Sequence, residues 1–173
     1  MKKLNRIHIV GIYGSGKSTF AEKIKKILRY DVYDLDEIKY RRKYDKIRSI
    51  EERLKIVKEI SNKKKWITEG AWLDYALDLY KKADLVIFLE IPKRILYKRI
   101  LVRYFKRKIS KDKYFNNNLK TTVNILKKVR KYFHDPNYFM TLKTHKDYIN
   151  KHSKKVLIIR NNKELNEFLD NLK

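Results

Sequence analysis

Gly11, Gly16, Lys17 and Ser18 fit the spacing G-x-x-x-x-G-K-[ST] within GIYGSGKST, residues 11–19. Three of the chain's four glycines lie in this stretch. Glycines let a backbone turn tightly and aim successive N–H groups at phosphate oxygens. A helix starting after such a loop adds its N-terminal dipole to the same anion. Lys17 is then placed to reach the β- and γ-phosphates, and the Ser18 hydroxyl to ligate Mg²⁺. Gly11, Tyr13, Gly14, Ser15, Gly16, Lys17, Ser18 and Thr19 are the expected nucleotide-binding residues, with ATP and Mg²⁺ as the expected cofactors. Kinases, GTPases and motor ATPases all share such a loop, so it names no reaction by itself.

The acids that would complete the chemistry lie downstream. Asp34 and Asp36 form D-x-D at the end of YDVYDLD. On a strand, residues i and i+2 face the same way. Two carboxylates there could hold the water shell of Mg²⁺, making Asp36 a metal-side partner of Ser18, or accept a proton from a substrate hydroxyl. Asp36 could also simply cap the next helix. Glu69-Gly70 carries the one glycine outside the loop, a sign of close backbone approach or a special φ. Glu69 is expected to orient the metal's water or the acceptor; its plainer role is a strand-terminal acid in solvent. Arg99, Arg103 and Arg107 repeat at i, i+4, i+8 and share one helix face. Forked guanidinium groups suit a transferring phosphoryl group, although in a basic chain such a face is also ordinary solvation. The expected catalytic set is Lys17, Asp36, Glu69, Arg99 and Arg103. Trp66 reads as packing, and Trp72 as packing or a platform for an aromatic substrate. Glu90 reads as the start of a helix. NNKEL, residues 161–165, lacks the acid of the guanine-reading N-K-x-D, since Leu165 stands in its place. Asn161 and Asn162 are instead expected to border an adenine.

Alternating strands and helices must position these residues. RIHIV (Arg6 to Val10) reads as a short buried strand, and Lys17 to about Leu28 as an amphipathic helix. DVYDLD is a second strand. Ile47, Ile50, Leu54, Val57 and Ile60 mark a helix at the 3/4 spacing. KWITEG and ADLVIFLEIP are the third and fourth strands, the last apolar throughout as a central parallel strand should be. Pro92 opens a helix; Leu119, Val123, Leu126, Val129 and Phe133 mark another. KVLIIR is a fifth strand and KELNEFLDNL a closing helix. The fold class is α/β, a parallel sheet covered on both faces, with its ligand beyond the carboxyl ends of the strands.

Composition narrows the setting. The chain has 173 residues and no cysteine, so disulfide frameworks and thiolate metal sites are excluded. Its expected organisation is a single domain over 1–173 with a helical lid or insertion around 95–155. No apolar run approaches a membrane span and no signal-peptide pattern precedes the first strand. The expected location is the cytoplasm, with no membrane partner. The net charge of +25 has two readings. One is a polyanionic partner; the other is compositional drift toward Lys, Ile, Asn and Tyr. Under either, non-specific nucleic-acid binding at low salt is expected.

Taken in order, IHIVGIYGSGKSTFAEKI, YDVYDLDEI and KWITEGAWLDYALDLYKKADLVIFLEIPKRILYKRILVRYFKR resemble the FlaR-like group. These P-loop proteins are often labelled "DNA topology modulation protein" and are similar to adenylate kinase. The resemblance covers roughly residues 5–108. It implies a nucleoside-monophosphate-kinase-like, three-layer P-loop NTPase fold with five parallel strands in the order 2-3-1-4-5. It also implies Lys17 and Ser18 at ATP-Mg²⁺, Asp36 or Glu69 at the acceptor, and Arg99 and Arg103 in a lid. TEGAW stands where adenylate kinase has its AMP-site run. The D-x-D looks more like shikimate kinase and nucleoside kinases, whose acceptors offer a neutral hydroxyl. The expected activity is phosphoryl transfer from ATP to a small hydroxyl- or phosphate-bearing acceptor, with a nucleoside or nucleotide as one candidate. The alternative is a nucleic-acid-associated ATP-binding protein that uses the basic surface.

Overall fold

A computed structural model of the chain describes residues 4–41, 46–109 and 119–172. Strands β1 (Arg6–Val10), β2 (Val32–Asp34), β3 (Trp66–Gly70), β4 (Leu85–Leu89) and β5 (Val156–Ile159) form one sheet in the order β2-β3-β1-β4-β5. Every neighbouring pair is parallel. Helices α1 (Lys17–Leu28), α2 (Leu35–Lys39), α3 (Ile50–Asn62), α4 (Leu77–Lys82), α5 (Lys93–Ile109), α6 (Leu119–His134), α7 (Leu142–His152) and α8 (Asn162–Asp170) connect and follow them. The implied strand order and the three layers are therefore present.

The strands are apolar because both sheet faces are covered, and successive side chains split between two cores. Ile7, Ile9, Ile67 and Ile87 pack with Phe20 and Ile24 of α1 and Leu96 and Ile100 of α5. Val10, Trp66, Val86 and Phe88 pack on the other face with Val57 and Ile60 of α3, Leu79 and Tyr80 of α4 and Ile149 of α7. Each such aliphatic side chain contributes about 1.5–3 kcal/mol by burial. His8 is fully buried as a core residue, its Nδ1 2.8 Å from Thr68 Oγ1. Burial pushes its pKa down to about 3, so it is neutral near pH 7. Trp66 is likewise core, at 0% exposure.

Several local expectations need correction. Asp34 is the last residue of β2 and the N-cap of α2, and Asp36 lies in the first turn of that helix. The D-x-D pair is therefore not a strand i, i+2 pair. The carboxylate of Asp34 caps the helix by accepting the Asp36 N–H at 2.7 Å. Helix α3 starts at Ile50, where Ser49 and Glu52 form a capping box. Ile47 falls before it and is 55% exposed. Glu90 starts no helix; it accepts from Arg160 at 3.1 Å and pairs with Lys146. Of the expected lid region 95–155, residues 110–118 lie outside the described residues; the rest holds most of α5, all of α6 and α7, and the non-helical segments 135–141 and 153–155. No helix among the described residues is long and apolar enough to cross a membrane.

Gly70 ends β3 beside the start of α2. A Cβ built there would sit 2.6 Å from Leu35 Cβ and 2.8 Å from its Cγ and Cδ1. Leu35 is itself fully buried, so neither side can give way cheaply. Gly70→Ala should lower stability by about 1–3 kcal/mol, read as an earlier urea midpoint at unchanged m-value. An unchanged midpoint would show that the contact relaxes without cost.

Candidate active site

The carboxyl ends of β1, β3 and β2 meet the loop between β1 and α1. Gly14 and Gly16 adopt φ of 79° and 95°, the left-handed region that disfavours a side chain. Gly16 is the N-cap of α1, and no side chain caps this helix. Its first turn also carries no acid. Ser15 is 2% exposed, and its Oγ has no hydrogen-bond partner among the described residues. An uncapped helix start, a buried hydroxyl without a partner and the adjacent Lys17 fit a phosphate chain. Ser18 follows at an exposed position, accessible to a metal ion.

Arg99 of α5 reaches into this loop. Its Nη1 donates to Ser15 O at 2.8 Å and lies 3.5 Å from Gly14 O, while Nη2 donates to Asn162 Oδ1 at 3.0 Å. Arg99 thus shapes the phosphate loop through its carbonyls. Arg103 and Arg107 lie farther along the same helix. With Lys98, Arg99, Lys106 and Arg160 they line a groove of about 790 Å³ that Asn161 and Asn162 border from the start of α8. The arginine row and the asparagines of the sequence reading therefore share one cleft wall.

The acids gather at the strand ends. Glu69 is in register with Ile9 of β1 and Asp34 of β2. It is 3% exposed, and its Oε2 lies 4.0 Å from Lys17 Nζ. Asp34 is half-buried beside it. Burial first, and then the charge of Glu69, raise its pKa to about 7, against the stabilising Asp36 N–H. The fold thus prefers Asp34 protonated. Its contribution to stability is fully present below the ordinary value of 3.8 and is lost as pH rises through about 7. Asp34→Asn should raise the thermal midpoint, with a gain that grows from pH 5 to pH 8. A gain independent of pH would contradict this.

Asp36 follows in the first turn of α2. Its Oδ1 accepts the indole N–H of Trp72 at 2.7 Å. The Lys39 ammonium sits 3.7 Å from the centroid of the Trp72 ring, and burial, then the charge of Arg53, lower its pKa. Arg53 of α3 pairs with the exposed Asp74 at 3.3 Å and lies 5.0 Å over the Tyr75 ring. Lys39 and Arg53 were not anticipated from sequence. The signal for Arg53 was its position: Ile50, Arg53, Val57 and Ile60 share one apolar stripe, where a solvated arginine does not belong. His145 was missed as well. It occupies the stripe of Leu142 and Ile149 on α7, is fully buried, and its Nε2 lies 3.0 Å from Ala71 O.

No protein-family model matches the chain. Among curated proteins it is 38% identical over 108 residues to the uncharacterized protein YqaC of Bacillus subtilis (strain 168), 62% of this chain and 60% of that protein. This match therefore spans less than two thirds of the relative's length. The chain is also 28% identical over 159 residues to a shikimate kinase of Clostridium botulinum, covering 82% of this chain and 94% of that one. Among solved structures it resembles shikimate kinase from Acinetobacter baumannii in complex with shikimate, with a TM-score of 0.57, 13% identity and coverage of 99% and 92% of the two chains. Shikimate kinase from Bacteroides thetaiotaomicron gives a TM-score of 0.55 at 13% identity, over 98% and 97%. At such identities the likeness speaks for architecture: the chain has the P-loop fold found in shikimate kinases.

Proposed function

We propose that this protein is an ATP-Mg²⁺-dependent phosphotransferase whose small acceptor offers a hydroxyl beside an anionic group. One observation carries the reading: Lys17 of the phosphate loop lies against Glu69, Glu69 is in register beside Asp34, and Asp34 caps the helix whose first turn presents the half-buried Asp36. The similarity to proteins named shikimate kinase supports the same class of acceptor chemistry. The motif order over roughly residues 5–108 supports placement among FlaR-like proteins, and TEGAW marks where this chain departs from the AMP-site run of adenylate kinase.

Bound Mg²⁺ would neutralise charge on the transferring phosphoryl group. Ser18 is the residue positioned to hold it, with Asp36 and Glu69 as candidates for its water shell. Lys17 supplies fixed positive charge where it grows on phosphate oxygens. The free oxygen of Asp36 accepts the proton of the acceptor hydroxyl. Arg53 receives the acceptor's anion in place of the exposed Asp74, a charge-assisted exchange between carboxylate-like partners. Arg103 and Arg107, on the proposed lid of residues 95–155, exclude water and so suppress wasteful hydrolysis. The test is a panel of hydroxy acids, nucleosides and nucleotides incubated with ATP-Mg²⁺ and scored by product mass. Phosphorylation of an anionic hydroxyl compound supports the reading; phosphorylation of uncharged alcohols alone overturns the anionic part.

A second reading is favoured by charge placement. Helices α5 and α6 carry Lys and Arg but no acid, whereas α3, α4 and α8 each carry acids. Uniform drift would not clear one face of acids. A polyanion such as single-stranded nucleic acid would dock on that face, giving binding that survives physiological salt and stimulates ATP hydrolysis. Binding lost entirely at that salt would leave bulk charge as its cause.

A further inference from the structure

We infer that Trp72 is a positioning residue for phosphoryl transfer: its indole N–H holds one oxygen of the Asp36 carboxylate so that the other is presented to the acceptor hydroxyl. The inference rests on the phosphotransfer reading above.

An indole has one donor and no acceptor, so it cannot itself move a proton between groups near neutral pH. What it can do is fix a carboxylate's plane. A carboxylate turns broadly about its last torsion unless something holds it. The bond to Asp36 Oδ1, at 2.7 Å, lies at the short end for N–H···O, as expected for a charged acceptor. It uses up the only donor on the indole and occupies only one of the two carboxylate oxygens.

The indole is itself held from several directions. The Lys39 ammonium lies over its ring, and Tyr75 stacks on it with centroids 6.2 Å apart and planes 25° apart. Tyr75 in turn donates its hydroxyl proton to Leu35 O at 2.8 Å, the carbonyl just before Asp36. One buried tyrosine thus fixes both the indole and the backbone that carries its partner. The backbone on either side of Trp72 is pinned by α7. Tyr148 donates to Leu73 O at 3.0 Å, and His145 Nε2 lies 3.0 Å from Ala71 O. Burial lowers the His145 pKa, so the ring is neutral near pH 7 and carries one N–H. Its Nδ1 lies 3.2 Å from Thr141 O and its Nε2 3.0 Å from Ala71 O, so the ring is wedged between two carbonyls and its single proton can serve either. A base oriented by a third, rigidly supported group is the general pattern of activated catalytic pairs. The α7 clamp, Tyr75 and Trp72 make that pattern around Asp36.

The test combines kinetics with a spectrum of the resting protein. Trp72→Phe keeps the ring against Lys39 and Tyr75 and deletes the donor. With the acceptor that the wild type phosphorylates, kcat should fall about tenfold while the acceptor KM stays within about twofold. Trp72→His, which restores a ring N–H, should recover part of kcat. In an Asp36→Asn background Trp72→Phe should cost nothing further, because the group it orients is gone. In ¹H–¹⁵N spectra without ligand, Asp36→Ala should shift the Trp72 indole resonance and leave that of Trp66 in place. The inference is overturned if Trp72→Phe leaves kcat unchanged, if its loss adds in full to that of Asp36→Asn, or if the indole resonance does not move. If the wild type transfers phosphate to nothing, the phosphotransfer reading fails and takes this inference with it. If the wild type transfers and Trp72→Phe matches it, only this inference fails.

Discussion

Lys17→Met should abolish phosphoryl transfer, lowering kcat/KM by on the order of 10³-fold, and should destabilise the protein at the same time. The two effects have separate causes. The catalytic loss follows from removing the one charged side chain of the phosphate loop, where transfer depends on fixed charge more than on covalent help. The stability loss follows from Glu69, which is 3% exposed and lies 4.0 Å from Lys17 Nζ. Without Lys17 a buried carboxylate loses its nearest cation, at a cost of about 2 kcal/mol. Lys17→Met with Glu69→Gln should therefore recover the urea midpoint and none of the activity. If the double variant stays as unstable as Lys17→Met, the pair is not what supports the strand end. If Lys17→Met keeps the wild-type transfer rate, the loop does not carry the chemistry.

Asp36→Asn should lower single-turnover transfer by about 10²–10⁴-fold with little change in stability. An asparagine side chain keeps the shape and can still accept the Trp72 N–H through its amide oxygen. The Asp36 backbone N–H still reaches Asp34 Oδ1. Only the ability to take the acceptor proton is removed. Asp34→Asn is the contrasting variant. It changes a helix cap that the fold prefers protonated, so its main effect is on the pH dependence of stability. A large kinetic loss in Asp34→Asn with none in Asp36→Asn would exchange the two roles.

Strands β1 and β4 were legible because both their faces are buried, and α1 because a strong signal bounds its start. RIHIV and LVIFL have no polar face to blur their period, and the glycine loop fixes the start of α1. The order of strands came from resemblance rather than from pattern, since apolar runs of similar length carry no label for their neighbours. The acceptor side was harder for a local reason. In DLDEI the chain leaves a strand and enters a helix within two residues, so alternation misjudged where Asp36 points. Arg53 and His145 were hidden by their residue types: each occupies an apolar stripe and reads as surface until the far partner, Tyr75 or Ala71, is known. Short α4 and polar α7 lacked the sustained 3/4 pattern that revealed α6. For Gly70 the sequence leaves close approach and a special φ open, and the fold decides for close approach, with Leu35 as the neighbour.

The most direct test of the central claim is the fate of the γ-phosphoryl group. ATP carrying ¹⁸O in that group, with Mg²⁺ and an anionic hydroxy acid such as shikimate among the acceptors, is followed by mass spectrometry in the wild type and in Lys17→Met. The account predicts labelled phosphoryl on an acceptor oxygen, ADP formed in step with it, and neither product in the variant. Label found only in inorganic phosphate, at a rate that no acceptor alters, would contradict it.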